Sequence, residues 1–491
     1  MSEPYLSACE NELLHLSGAI LAHGTLLVID ASGMISHVGA NVGDWLGGSA
    51  QSWLGRRLPE ALAVPLQKLG PQPGARLTVT GQRNPFQGTS KASFDLLASR
   101  GEEMKITLEL VECSSVGSAH GRHPVYLSAK LHDAAAVAAE QDDLVAEIAR
   151  LTGFQRVMLY SFREDGDGEV IAESRSGDAF GSYLGLRFPA SDIPAIARNL
   201  YLKNPWRLIP DAISEPVALI GLTASPPDLT YSDLRSVSPV HRVYLANMGV
   251  RASLSFPVMA VGVLTALVAC HHSSPLQPSV AMLLQASQRV RSHAMAMTDF
   301  QSRKRMRLVD GLISRFNPAL DILQRHGDTA SAWPELAIWL MKEFQADGAT
   351  LCLSGNYVSA GRTFEPDALV AFDQWFKSRP SESIWLCDSL RLQSLDMPLS
   401  EVAGVMAIRF KTDLGIEVRV YLTRLEYIHD VAWGGMPEKP VEYHDGSLGI
   451  APRRSFEKWM EKRLGYCRSW GNETRLLAFK LRELLLREVR Y

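Results

Sequence analysis

The sequence predicts an α+β protein made of several small domains joined by long helices, and three observations carry that prediction. At 491 residues the chain is too long for one ordinary core. Short apolar runs such as GTLLVID (24–30), KITLELVEC (105–113) and EVRVYLTR (417–424) alternate with amphipathic segments across polar turns. From Pro278 to Pro318 no strong helix breaker occurs, which predicts a helix of about 38 residues, roughly 57 Å long at 1.5 Å per residue. A helix of that length needs a partner, so it is expected to link two domains and to lie along a dimer axis.

Composition narrows the class. Charge is nearly balanced, 50 basic against 53 acidic residues, so no nucleic-acid surface is expected. The hydrophobic fraction of 46% is ordinary for a soluble globular protein. Six cysteines, at 9, 113, 270, 352, 387 and 467, show neither a C-x-x-C pair nor a zinc spacing. That scatter suits a reducing, cytoplasmic setting. The opening MSEPYLSACENELL lacks a basic region followed by an apolar run, so no signal peptide is expected. Leu254 to Cys270 is uncharged for 17 residues, but it contains Pro257 and Gly262 and is rich in β-branched residues. Two buried strands turning near Val261–Gly262 explain it better than a membrane span.

In chain order, the region to about Ala135 reads as a small antiparallel sheet with short helices. It has strands from Gly24, after the turn at Ala31–Gly33, at Lys105–Cys113 and at Pro124–Asp133, and a short helix around Val42–Leu46. Next come a helix at Asp142–Ala149 and strands at Phe154–Phe162 and Glu169–Ser176. The densest stretch follows, GLRFPASDIPAIARNLYLKNPWRLIPD (185–211). Pro189 and Pro194 predict extended backbone from Phe188 to Ile193 and a helix starting at about Pro194, with Ser191 or Asp192 as its cap. Alone, this is a capped helix beside a Pro-rich loop. Its concentration of an acid between prolines, aromatics at Phe188, Tyr201 and Trp206, and positive charge at Arg198, Lys203 and Arg207 suits a large, flat, anionic ligand. In LRSVSPVHRVYLANMGVRASLSF (234–256), Pro239 starts a helix bearing His241 and Tyr244, Gly249 ends it, and a strand carries Ser253 and Ser255. His271 and His272 are too closely spaced to be two metal ligands from one helix face. Beyond the long helix, helices are expected at Ala332–Glu343 and Pro366–Lys377 and strands at Ala349–Leu353, Val405–Phe410 and Glu417–Arg424. The final helix, Thr474–Tyr491, carries Leu477, Leu481 and Leu484 as an exposed apolar stripe.

The blocks RFPASDIP, LRSVSPVHRVY and ACHH, in this order and spacing, resemble the chromophore-binding domain of phytochromes. CENELLH (9–15), Trp433-Gly434-Gly435 and PRRSF (452–456) resemble the bilin-attachment segment and the tongue of the same family. The whole chain thus resembles a bacteriophytochrome photosensory module, PAS-GAF-PHY. The resemblance implies a PAS domain at 1–135, a GAF domain at 136–278, a connecting helix at 279–317 and a PHY domain at 318–491 with its tongue at about 427–459. It also implies a knotted PAS–GAF junction.

What the resemblance implies for the site is specific. Cys9 would tether a linear tetrapyrrole. Asp192 would accept pyrrole N–H bonds through its carbonyl, with Ile193 and Pro194 beside it. His241 would reach the central pyrroles through water, and His271 would touch the carbonyl of the outermost ring. Arg207 and Arg235 would pair with the propionates, helped by Ser238, Ser253 and Ser255. Tyr160, Phe188 and Tyr201 would surround the outer ring, with Tyr244 lower in the pocket. In the tongue, Trp433, Gly434, Gly435, Pro452, Arg453 and Ser455 would form the switch, Asp192 changing partner from Arg453 to Ser455 or the reverse. A thiol at Cys9, with Val240 where a plant-type attachment cysteine would stand, implies biliverdin IXα. The implied function is a red/far-red photoreceptor, acting as a homodimer on an output partner that the sequence does not identify. No membrane or nucleic-acid partner is implied, and no kinase or cyclase motif occurs in the chain. The second reading is a GAF-type sensor of another small ligand, or the sensory half of a light-regulated histidine kinase.

Overall fold

The structure is a computed structural model. It describes residues 12–113, 130–177, 181–379, 381–393, 395–398, 400–412, 415–437, 441–444, 447–450 and 456–488. Cys9, Pro452, Arg453 and Ser455 lie outside the described residues. The chain divides into two compact units, Met1–Phe300 with Ala432–Trp459, and Gln301–Val431 with Met460–Tyr491.

The first unit holds strands β1 (Ala19–Ile20), β2 (Gly24–Ile29), β3 (Ile35–Gly39), β4 (Arg76–Arg83), β5 (Ser93–Arg100) and β6 (Ile106–Glu112). It continues with β7 (Arg156–Phe162), β8 (Gly168–Arg175), β9 (Arg187–Phe188), β10 (Arg207–Ile209), β11 (Val217–Gly221), β12 (Ala252–Ala260) and β13 (Val263–His272). Its first sheet runs β1-β11-β3-β2-β6-β5-β4. β11 therefore leaves the strands it lies among in sequence and pairs with β1 and β3, Ile220 opposite Val38. The second sheet runs β10-β12-β13-β7-β8-β9, and Trp433 of the 432–459 arm pairs beside Arg187 of β9.

Helix Ala134–Thr152 and the first part of helix Val280–Arg325 cover one face of the second sheet. Leu144, Ile148, Leu283, Ala286 and Val290 pack there against Val157, Leu254, Phe256 and Val268. The uncharged run 254–270 is indeed two antiparallel strands, turning at Val261 and Gly262, both at positive φ. Among the described residues no helix is long and apolar enough to cross a membrane. Of the expected strand Pro124–Asp133, residues 130–133 are described and carry no strand.

The second unit has a five-stranded sheet of β14 (Gly348–Leu353), β15 (Asn356–Gly361), β16 (Ile384–Cys387), β17 (Val402–Lys411) and β18 (Glu417–Leu425), in the order β15-β14-β18-β17-β16. Alternation sorts its faces. Met406, Ile408, Val420 and Leu422 meet helices Thr329–Glu343 and Asn472–Glu488, while Val405, Ala407 and Tyr421 meet helix Pro366–Lys377.

Two expectations need correction here. The long helix spans 46 residues and does not stop at Pro318. Pro318 sits on the exposed side, and Phe316, Ala319, Ile322 and Leu323 are buried around it. The carbonyl that loses its partner, that of Ser314, is on an exposed residue that water can reach, so core packing outweighs the break. The stripe on the last helix is also not exposed: Leu477, Leu481 and Leu485 are buried in this unit's core and Leu484 packs against it.

Candidate ligand-binding site

Strand alternation builds the site. β12, β13 and β7 lie side by side, with Ser253 opposite His271, Ser255 opposite Ala269 and Leu267 opposite Tyr160. Leu254, Val268 and Leu159 point into the helical core. The residues between them, including Tyr160, Ser253, Ser255 and His271, line a cavity of about 260 Å³. His271 and His272 therefore separate by simple pleat: His272 leaves the cavity and meets Phe154 edge-on at 6.3 Å.

The 188–201 segment forms the opposite wall. Ala190–Asp192 is a 3₁₀ turn rather than extended chain, and Ile193 (φ −127°, ψ 84°) follows it. The helix Ala195–Tyr201 has Pro194 at its cap position and no side-chain cap, so neither Ser191 nor Asp192 plays that part. Asp192 instead turns to the cavity, where its Oδ2 accepts from the Tyr244 hydroxyl at 3.2 Å. Arg198 holds the turn from behind. Its Nε donates to the Ile193 carbonyl at 2.7 Å and its Nη2 to those of Gly166 (2.7 Å) and Ala190 (3.2 Å). Its guanidinium lies 4.5 Å from the Phe162 ring centroid. The charge at Arg198 thus serves the loop.

Arg207 and Arg235 both line the cavity. Arg207 donates Nη1 to the Asp233 carbonyl at 3.1 Å and Nη2 to those of Arg235 and Ser236. Arg235 points Nη1 toward the Leu229 carbonyl at 3.3 Å. Among the described residues neither has a carboxylate within ion-pair distance. Burial, with the charge of Arg235 added, pulls Arg207 down to about 9, and burial lowers Arg235 as well. Two enclosed positive charges sharing only backbone acceptors make a site that favours anions.

The rest of the wall follows. The Tyr201 hydroxyl and Ser255 Oγ are 2.8 Å apart. His241 stacks on Tyr244 at 5.9 Å, and Ser238 donates to Glu12 at 2.7 Å, both serine and glutamate lining the cavity. Burial, then Arg207, brings His241 down to about 4. Burial, then Arg156 and His241, brings His271 down to about 3, so both rings are neutral at pH 7. His271 Nδ1 is buried without a hydrogen-bond partner among the described residues. Phe188 sits 6.0 Å from Tyr160 and 5.5 Å from Tyr183. Tyr183 was not foreseen. It lies under the buried Arg156 guanidinium, 3.9 Å away, and no sequence pattern marks it.

The arm 432–459 of this unit reaches the same wall. Trp433 is buried and pairs in parallel with Arg187. Gly434 lies against the Phe188 ring, Gly435 has φ 95°, and Phe456 meets Tyr244 edge-on at 5.1 Å. The expected ligand-contacting residues that are described all line this cavity; of the expected arm residues, Gly434 touches Phe188, while Trp433 and Gly435 are not part of the lining. Among the described residues no cluster could hold a metal ion.

Fold and site define a modular α+β protein whose second sheet walls a cavity with aromatics and two buried guanidinium groups. Three family models match in order: the PAS fold over 9–110, the GAF domain over 139–295 and the phytochrome region over 319–490. The chain is 34% identical to a bacteriophytochrome of Pseudomonas aeruginosa, across 97% of this chain and 66% of that one. It is 31% identical to a bacteriophytochrome of Xanthomonas campestris pv. campestris, across 95% and 76%. The photosensory core module of the Stigmatella aurantiaca phytochrome superposes with a TM-score of 0.80 at 29% identity, covering 98% of this chain and 99% of that one. The chain belongs to the phytochrome family. It spans 60% to 66% of the length of four of its curated relatives.

Proposed function

We propose that this chain is a red/far-red light sensor that holds biliverdin IXα, tethered through Cys9, in the cavity of its second sheet. The observation that carries the reading is the pair Arg207 and Arg235, enclosed charges with no carboxylate partner among the described residues, facing an aromatic-walled cavity. A flat tetrapyrrole with two propionates meets that requirement, and guanidinium forks match carboxylates in geometry. The unpartnered Nδ1 of His271 supports the same fit, because a buried ring nitrogen gains by meeting a ligand group.

When bound, the bilin supplies the absorption of red light and an outer ring that can isomerise. The chain's own residues do the rest. Arg207 and Arg235 anchor the carboxylates, with Ser253 and the Tyr201–Ser255 hydrogen bond beside them. Neutral His241 and His271 offer one donor and one acceptor each without adding charge. Tyr160, Phe188 and Tyr201 would enclose the outer ring, and Gly434 of the arm lies against Phe188. Asp192, held by Tyr244 and by the Arg198-braced turn, is the group that would change partner between Arg453 and Ser455. Such an exchange biases a two-state arm. We further propose action in the cytoplasm as a homodimer through the long helix, with an output partner.

Co-expression with a haem oxygenase tests the reading. A green product whose spectrum changes reversibly under red and far-red light, and whose colour stays on the denatured chain unless Cys9 is replaced by serine, is the expected result. A colourless protein, or a colour indifferent to light, sinks it.

A further inference from the structure

The first sheet sends two charged side chains out of its own domain. Glu109, on β6, is 1% exposed, and its acceptors all go to one segment. Its Oε1 accepts from Ser232 Oγ and, at 2.9 Å, from the Leu234 amide, while Oε2 accepts from the Asp233 amide at 3.1 Å. Arg76, the first residue of β4, pairs with the Asp233 carboxylate and donates Nη1 to Asn204 Oδ1 (3.0 Å) and to the Tyr231 carbonyl (3.1 Å). Its guanidinium stands 5.8 Å from the Trp206 ring centroid.

These contacts converge on one end of the cavity. Asn204, Trp206, Ser232, Arg235 and Ser236 line it, and Arg207 hangs on the carbonyls of Asp233, Arg235 and Ser236. The 231–236 segment has no strand or helix of its own; the Ile20–Arg235 bridge, with Leu21 N donating to the Leu234 carbonyl (2.7 Å) and Ser236 N to that of Ala19 (3.1 Å), holds one side of it, and the contacts from Glu109 and Arg76 hold the rest. We propose that Arg76 and Glu109 of the first sheet are positioning residues that set Arg207 and Arg235 for the ligand's carboxylates. The inference rests on the tetrapyrrole reading above and goes beyond it by assigning carboxylate recognition to a domain whose sheet lines none of the cavity.

The geometry accounts for the division of labour. Neither Arg76 nor Glu109 lines the cavity, so their effect passes through the segment. Replacing Glu109 by glutamine turns an N–H group toward backbone amides that need an acceptor, which forces the segment to shift. Replacing Arg76 leaves Asp233 unpaired beside Arg207 and Arg235, where it competes for them.

The test separates carboxylate recognition from general folding. Reversible affinity is read in the Cys9→Ser background, for biliverdin and for its dimethyl ester, in which both carboxylates are masked. The parent is expected to prefer the acid. Arg76→Ala and Glu109→Gln are each expected to weaken biliverdin by about tenfold while changing the ester by less than about threefold. Arg76→Lys, which keeps the charge with fewer donors, serves if the alanine variant melts early, and an intermediate loss confined to the acid is expected. Equal losses for acid and ester, or no loss for either, overturn the assignment. A parent that binds the acid no better than the ester overturns it too. A parent that binds neither overturns the tetrapyrrole reading itself, and the positioning role with it.

Discussion

Gly434→Ala is the sharpest perturbation that the structure offers. A Cβ at 434 would lie 2.4 Å from Cζ of Phe188 and 2.5 Å from its Cε1. That is about 1 Å inside ordinary carbon–carbon contact. The ring has little room to yield, since Phe188 is 4% exposed with Tyr160 and Tyr183 packed on it. Overpacking of this kind costs about 1–3 kcal/mol, or roughly 5- to 150-fold in the docking equilibrium of the arm. Native-state hydrogen exchange at the amides of 432–435 reads that equilibrium, and their exchange is expected to accelerate by this factor. The companion is Phe188→Leu, which removes the atoms in the way. In that background the alanine is expected to cost less than about 0.5 kcal/mol. An equal cost in both backgrounds refutes the argument, because Phe188 then does not set the limit at 434.

Three further outcomes follow from the same geometry. Arg198→Ala removes three bonds from a charged donor to the carbonyls around the 190–193 turn, so a loss of about 2–3 kcal/mol in thermal or urea unfolding is expected; an unchanged midpoint would show that the prolines alone hold the turn. Val261 is a β-branched residue at φ 49° in a two-residue hairpin turn and is 89% exposed, so Val261→Asn is expected to stabilise by roughly 1 kcal/mol; a lower urea midpoint contradicts it. His271, at about 3 when folded against 6.5 when unfolded, binds its proton more readily in the unfolded chain, so its contribution is present above pH 6.5 and is lost as pH falls toward 3. In protein free of bilin it should withdraw about 2–3 kcal/mol by pH 4.5, and His271→Gln should remove that slope. Glu109 slopes the other way, since burial and then Asp233 raise it to about 7. Only the difference between parent and variant across pH 4.5–7 is therefore diagnostic, and identical profiles count against a neutral His271.

Much of the site could be read from the sequence because strand alternation and proline placement are local. The pleat that turns Tyr160, Ser253, Ser255 and His271 to one side needs only a period of two. What escaped was set by distant partners. Arg198 reads as free charge until the carbonyls of Gly166 and Ala190 are in view. Asp192 has the chemistry of a cap but is drawn into the cavity by Tyr244. An apolar stripe such as Leu477–Leu481 has the same pattern whether its partner is another chain or its own sheet. Pro318 obeys its rule only where its lost bond is not outweighed by burial on the other side of the helix. Glu109 and Arg76 carry no local signal, because their partners lie more than a hundred residues away.

The placement of β11 has a consequence for biosynthesis. The outer edge of β3 is finished when Gly39 leaves the ribosome, but the strand that covers it starts only at Val217. At about 5–20 residues per second the nascent chain carries that open edge for roughly ten to forty seconds. An uncovered edge invites pairing with another nascent chain. A fragment ending at 135 never receives its cover, and is expected to aggregate where a fragment ending beyond the Val280–Arg325 helix stays dispersed.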